Sequence, residues 1–344
     1  MTNNTESIAG LRPGDQVRVK SPEAILATLD ERGRLDNMPF MPEMFDACGR
    51  TFSVYARADK TCDTATQTRG RRLSDSVHLT GERCDGSAHG GCQAECLNFW
   101  KSAWLERSDA DADDIAYPAE QIGMARERLD AFTSTNDDGT TVYSCQATEL
   151  PNYTTLLKGS EIGQYWDDFT KNGIGLGRML RVFFNAAYHR LVRSGVGYRF
   201  WVSLYNGMSK MLGGHPWPYR PGPHEKKTPT GSLDLQVGEH VRVKSLDEIV
   251  ATLNKEGKNR GMSFDAEMVR YCGKVFRVHS RVDRLINEGT GVMIDIQNPC
   301  IILEDVWCSS DWSACRRFCP RSIYHYWREL WLERVDDSGA SKAA

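Results

Sequence analysis

The feature that most constrains this chain is that it carries one pattern twice. Residues 11–59 align without gaps on residues 235–283, and 22 of the 49 positions are identical. Both copies contain VRVKS (17–21 and 241–245), ATL (27–29 and 251–253), M-x-F-x-x-E-M (38–44 and 262–268) and a Cys-Gly pair (Cys48-Gly49, Cys272-Gly273). The same offset sets Cys84 on Cys308. A short slip then matches Cys92 and Cys96 to Cys315 and Cys319, and both copies end in W-x-x-x-W-L-E-R at 100–107 and 327–334. A repeated run of this length means two copies of one structural module, so the fold is solved once and used twice.

Each module reads as a small β structure with a helical insertion. Residues 16–20 alternate apolar and polar after Pro-Gly-Asp, which predicts a strand entered from a turn. Residues 23–32 place Ile25, Leu26 and Leu29 at helical spacing, with Gly33 as the stop. Further strands are predicted at 50–56, 76–79 and 104–107, and at 275–282 and 292–296 around the turn Glu-Gly-Thr-Gly. The opening P-G-D-x-V-R-V-K resembles the first strand of SH3-like or KOW-type barrels, including the C-terminal part of nitrile hydratase β subunits. That resemblance spans about ten residues per copy and implies a fold and no activity. The expected class is α+β: two duplicated SH3-like small β-barrel modules with cysteine-rich metal sites, flanking a helical central region. The expected divisions are a first module at 11–108, an acidic and mixed connector at 109–157, a basic helical region at 158–212, a Pro-rich linker at 213–234 and a second module at 235–335.

Eleven cysteines in 344 residues carry the strongest chemical signal. The first module has Cys84-x4-His89-x2-Cys92-x3-Cys96, and the second has Cys308-x6-Cys315-x3-Cys319. Cysteines four apart share one face of a helix, and Cys92, Cys96, Trp100 and Trp104 would form one stripe. Disulfides are disfavoured, because the polar start of the chain has no basic segment followed by an apolar one that would mark export. Thiolate ligation of a metal accounts for the clustering. Zn2+ accepts the Cys3His set of Cys84, His89, Cys92 and Cys96. An iron–sulfur cluster would take four thiolates, with Cys62 replacing His89. The second set lacks a histidine at the matching place and would need Cys300, His279, His325 or Asp311 as its fourth ligand. Cys48 and Cys272 read as small buried residues, and Cys145 as an isolated thiol.

Residues 158–227 hold eleven Lys/Arg against four Asp/Glu, although the whole chain is at −3. In 176–193, Leu176, Leu180, Phe183, Ala187 and Leu191 share one helical face, which is expected to pack on a core. Arg178, Arg181, Asn185, His189 and Arg193 share the other. With Arg190, these arginines could meet nucleic-acid phosphates, an acidic partner or a membrane surface. Residues 172–177 are glycine-rich but lack the spacing of a dinucleotide loop. His215, Trp217, Tyr219 and His224 in the Pro-rich linker are expected to be exposed. No apolar run is long enough to span a bilayer. Together these point to a cytoplasmic, metal-binding accessory or interaction protein with a protein partner. The alternatives are a metalloenzyme, iron–sulfur redox chemistry included, with Cys62, His89, Arg57 and Arg281 in a cleft between the modules, and a nucleic-acid-binding protein.

Overall fold

The duplication in sequence is a duplication of hydrogen-bonded topology. In the first repeat β1 (Gln16–Val19), β2 (Thr51–Arg57), β3 (Ser76–Leu79), β4 (Trp100–Lys101) and β5 (Leu105–Arg107) form a five-stranded sheet in the order β4-β3-β2-β1-β5. In the second, β6 (His240–Val243), β7 (Val275–Ile286), β8 (Met293–Leu303), β9 (Trp327–Arg328) and β10 (Leu332–Arg334) take the order β9-β8-β7-β6-β10. Registers agree residue by residue: Val17 faces Phe52 and Arg107, and Val241 faces Phe276 and Arg334. The computed structural model describes residues 10–66, 70–312 and 316–335. Over these the chain is mixed α+β, with several small antiparallel sheets. No hydrogen-bonded pairing joins β4 to β5, or β9 to β10, among the described residues.

Elementary side-chain chemistry explains why both copies fold alike. Val17 and Val19, like Val241 and Val243, are fully buried on one face of the first strand, as period-two alternation requires. The next residue but one, Ser21 or Ser245, caps a five-residue helix (Pro22–Leu26, Leu246–Val250) by accepting from the backbone N–H of Ala24 or Glu248. Each repeat then packs a fully buried tryptophan from a 3-10 turn (Ser102–Trp104, Glu329–Trp331). Trp104 Nε1 donates to Thr28 Oγ1 at 3.1 Å, and Trp331 Nε1 to Thr252 Oγ1 at 2.9 Å. The threonine of the shared A-T-L motif receives the indole N–H in both repeats. Arg57 and Arg281 are equivalent too: each donates to the first residue of its repeat, the carbonyls of Leu11 and Leu235. Each braces its own sheet.

Compact units do not follow the repeat boundaries. One unit comprises Met1–Leu176, Arg284–Asp295 and Ala314–Ile323; the other comprises Gly177–Asp283, Ile296–Ser313 and Tyr324–Ala344. The tip of the β7–β8 hairpin thus belongs to the unit of the first repeat, and the expected connector at 109–157 is part of that same unit. There, Ala119–Asp130 lays Ala125 and Leu129 against the first core, and Gln146 closes it by bonding Phe99 N, Phe99 O and Pro39 O. In the second unit the Pro-rich segment is exposed over most of its length, His215 and Tyr219 included, but not at Trp217. Trp217 is 1% exposed and packs with Tyr188 and Val192, while Tyr219 stacks on His189 at 4.2 Å between ring centroids.

One substitution between the repeats has a consequence for pH. His78 in β3 stands where the second repeat has Ile302, and both are buried without measurable exposure. Burial pushes the His78 pKa down to about 4, and its Nδ1 contacts the Asn98 carbonyl at 2.9 Å. A histidine held neutral in the fold stabilises it above the unfolded value of about 6.5, and that contribution is lost as pH falls towards 4. The loss is about 3 kcal/mol. His78→Ile should flatten denaturation midpoints between pH 6.5 and 4; an unchanged pH dependence would refute the assignment.

Candidate metal centre

The segment between β3 and β4 carries the first cysteine set, and it is a loop apart from one antiparallel bridge, Arg83 to Leu97. The helix expected to align Cys92 with Cys96 is absent among these described residues. Gly86, Gly90 and Gly91 have φ of 70–72° and Glu95 has φ 48°, which breaks any helical run. A Cβ on Gly86 would lie 2.1 Å from the Cys92 carbonyl oxygen, so this turn requires glycine. Cys84 N donates to Cys96 O at 2.8 Å, while His89 N and Gly91 N donate to Gly86 O. The loop thereby folds His89 back over Cys84.

Glu43 rises to meet them from the 3-10 helix Pro42–Ala47. His89 sits between the two: its Nε2 is 3.2 Å from Cys84 Sγ and its Nδ1 is 3.8 Å from Glu43 Oε1. Among the described residues, Glu43, Cys84 and His89 form the one group of three whose ligand atoms all lie within 4.8 Å of one another. Glu43 is 6% exposed and His89 2%. Neither Glu43 oxygen, nor His89 Nδ1, meets a partner at good hydrogen-bond geometry; the Cys84 thiol and the backbone N–H of Glu43 lie near the carboxylate and offset only part of the cost of its burial. Burial raises the Glu43 pKa to about 7 and lowers that of His89 to about 4; it holds the Cys84 thiol well above its ordinary value.

Two chemistries could use a thiol, an imidazole and a carboxylate in a row. A nucleophilic cysteine needs a thiolate beside an imidazolium whose other N–H donates a hydrogen bond to the carboxylate that holds it. Burial here drives both groups to neutral, and 3.8 Å is beyond hydrogen-bond range. A cation reverses that penalty, because it stabilises the anionic carboxylate and thiolate and uses imidazole in its neutral form. Three protein ligands with a further position open is a set that Zn2+ accepts.

The second repeat supplies an internal comparison. Glu267 occupies the place of Glu43 and is equally buried, yet it accepts from Ser309 Oγ at 2.5 Å and Trp312 N at 2.7 Å. The same acid is satisfied by a loop in one copy and stranded in the other.

A cavity of about 30 Å3 adjoins the centre, lined by Cys84, His89, Cys92, Cys96, Cys145 and Arg321 among others. Cys145, isolated in sequence, arrives two residues after the strand Thr140–Tyr143. Burial pushes the thiols of Cys96 and Cys145 up to about 11 and about 12. Cys92 Sγ accepts from Ile286 N at 3.4 Å, and Cys96 Sγ from Arg321 Nη2 at 3.8 Å. The remaining sequence candidates are dispersed. Cys62 does not join this group: its N–H donates to Cys319 Sγ at 3.1 Å, in the same compact unit. In the other unit, Cys300 lies against Met262 Sδ and Arg328, and Cys308 against Ser310. Cys315 lies outside the described residues. Asp311 is engaged by Arg178 and Arg181, His325 packs on Tyr271 and His279 on Tyr324. Burial lifts the thiols of Cys48 and Cys272 to about 12; Cys48 is buried as expected, whereas Cys272 is only partly so.

No protein-family model, curated protein or solved structure matches this chain.

Proposed function

We propose that this is a metal-binding accessory or interaction protein whose first repeat holds a zinc ion between Glu43, Cys84 and His89. The stranded Glu43 carboxylate carries the reading. A buried acid with neither oxygen bonded costs free energy unless something absent from the protein chain meets it, and its duplicate Glu267 shows that the fold can satisfy this position when nothing else is needed. The ion would tie the cysteine loop to the 3-10 helix and so shape the surface around it. The two sheets fit SH3-like barrels: the order β4-β3-β2-β1-β5, with a 3-10 turn between β4 and β5, supports that finer reading. Small barrels of this kind present loops to a protein partner.

Elemental analysis after anaerobic purification tests the proposal. About one zinc per chain is expected, lost in Cys84→Ser and in His89→Ala and kept in Cys62→Ser. A chain without a bound transition metal, or one whose zinc survives both substitutions, refutes it.

A second reading has its own observation. Zinc–sulfur bonds of about 2.3 Å place ligand sulfurs roughly 3.8 Å apart, whereas no three of Cys84, Cys92, Cys96 and Cys145 have sulfurs mutually within 4.8 Å. Four thiols around one cavity at wider spacing suit an iron–sulfur cluster. Brown protein containing iron and acid-labile sulfide, bleached by Cys145→Ser, would establish this reading and displace zinc. Colourless, iron-free protein would dismiss it.

A further inference from the structure

The helices of the second unit expose the face that sequence periodicity assigns to a core. In Leu176–Arg193 the inward residues are Val182, Asn185, Tyr188 and Val192. The stripe of Leu180, Phe183, Phe184 and Leu191 instead stands 37–62% exposed. The following helix, Tyr198–Met211, buries no residue fully. Phe200, Leu204, Met208 and Met211 are 40–88% exposed, and at 100° per residue they fall in a second stripe about 80° wide. Tyr188, Trp201, Tyr205 and Trp217 fill the inward side. The two outward stripes have no such cover.

Charge says what covers them. Residues 177–212 contain six Lys/Arg and no Asp or Glu. Arg178 and Arg181 are engaged by Asp311. Arg190, Arg193, Arg199 and Lys210 are exposed, and none of them forms an ion pair among the described residues. A second copy of this chain would bring the same excess of positive charge against itself, with no acid in either stretch to relieve it. Exposed large apolar side chains flanked by cations, on helices of 14 and 18 residues, match the requirements of a helix lying in a membrane interface. Neither helix is long and apolar enough to cross a bilayer.

We infer that the two helices at 176–211 dock the protein on an anionic phospholipid surface. The apolar stripes enter the headgroup–acyl boundary, and the free arginines and Lys210 meet lipid phosphates. Arg190 borders the first stripe, where it reaches the headgroup plane as the stripe sinks.

Sedimentation of the full chain with vesicles decides the matter, using phosphatidylcholine alone and phosphatidylcholine containing about one-third phosphatidylglycerol. Binding to the anionic vesicles is expected, at least about 10-fold stronger than to the neutral ones and weakened by similar amounts in about 0.5 M salt. Leu180→Glu and Met211→Glu alter exposed positions, so circular dichroism should be unchanged while vesicle binding falls by about 10-fold or more. Arg190→Glu with Arg199→Glu should abolish the preference for anionic lipid and leave the fold intact. Absence of sedimentation with anionic vesicles overturns the inference, as does binding that survives all three variants. A dimer, or a complex with an acidic protein, that is broken by Leu180→Glu in a chain that ignores vesicles assigns the stripe to that partner and overturns it equally.

Discussion

Trp104→Ala should lower the unfolding free energy of the first repeat by about 3–5 kcal/mol, the largest effect expected of any single substitution here. The indole is fully buried, in edge contact with Phe40 at 4.9 Å between centroids, and its N–H is bonded to Thr28. Alanine removes the hydrogen bond and leaves a void that a close-packed core refills only in part. Trp331→Ala should cost a similar amount in the second repeat, where Phe264 lies at 5.4 Å and Thr252 takes the N–H. Urea titration followed by tryptophan fluorescence and circular dichroism measures both. Trp166→Ala, at a side chain 66% exposed, is the control and should shift stability by no more than about 0.5 kcal/mol. Core variants indistinguishable from Trp166→Ala would mean that the repeats are not organised around these indoles.

Glu43→Gln and Glu267→Gln should move stability in opposite directions, although they alter the same position of the same module. Glu267 holds Ser309 and Trp312 N, and its amide replacement loses a charge-assisted bond and turns a donor towards another donor, at a cost of about 1–3 kcal/mol. In metal-free protein Glu43 has no such bond to lose. Its pKa is raised to about 7 by burial, so protonation favours the fold. That contribution is complete below the unfolded value of about 4.5 and disappears as pH rises through 7. Glu43→Gln should therefore stabilise the metal-free protein by about 3 kcal/mol at pH 8 and have little effect at pH 4.5. In the metal-bound protein the sign reverses. Zinc affinity should fall by more than the roughly 10–100-fold that loss of an outer partner costs, as read by chelator competition. A Glu43→Gln protein that binds zinc like the parent would remove the acid from the ligand set.

The positions of most strands were legible because duplication doubled every local signal: VRVKS and the W-x-x-x-W ending each occur twice and carry the same contacts; their order within the sheet was not. The site was legible in part. Cys84 and His89 were found by spacing, but Glu43 was hidden inside M-x-F-x-x-E-M, where an acid between buried residues in both copies was the available clue. Cys145 could not be found by spacing, since it reaches the cavity through tertiary folding from 49 positions beyond Cys96. At 92–104 a four-residue interval fits a helix, while the residue that breaks one, Glu95 with φ 48°, carries no sign of it in its residue type. The helix at 176–193 shows a different limit. Apolar residues occur on both faces, and periodicity cannot tell which of them meets the aromatic cluster around Trp217.

The tip of the β7–β8 hairpin, sequestered with the first repeat, also fixes an order of events during synthesis. Cys92 takes its amide partner from Ile286, 194 residues later, and Cys96 meets Arg321, 225 residues later. At ribosomal speeds of about 5–20 residues per second, the thiols emerge roughly 10–40 s before these neighbours exist. For that interval the nascent polypeptide offers the sulfurs of Cys92 and Cys96 unshielded to oxidants and stray cations.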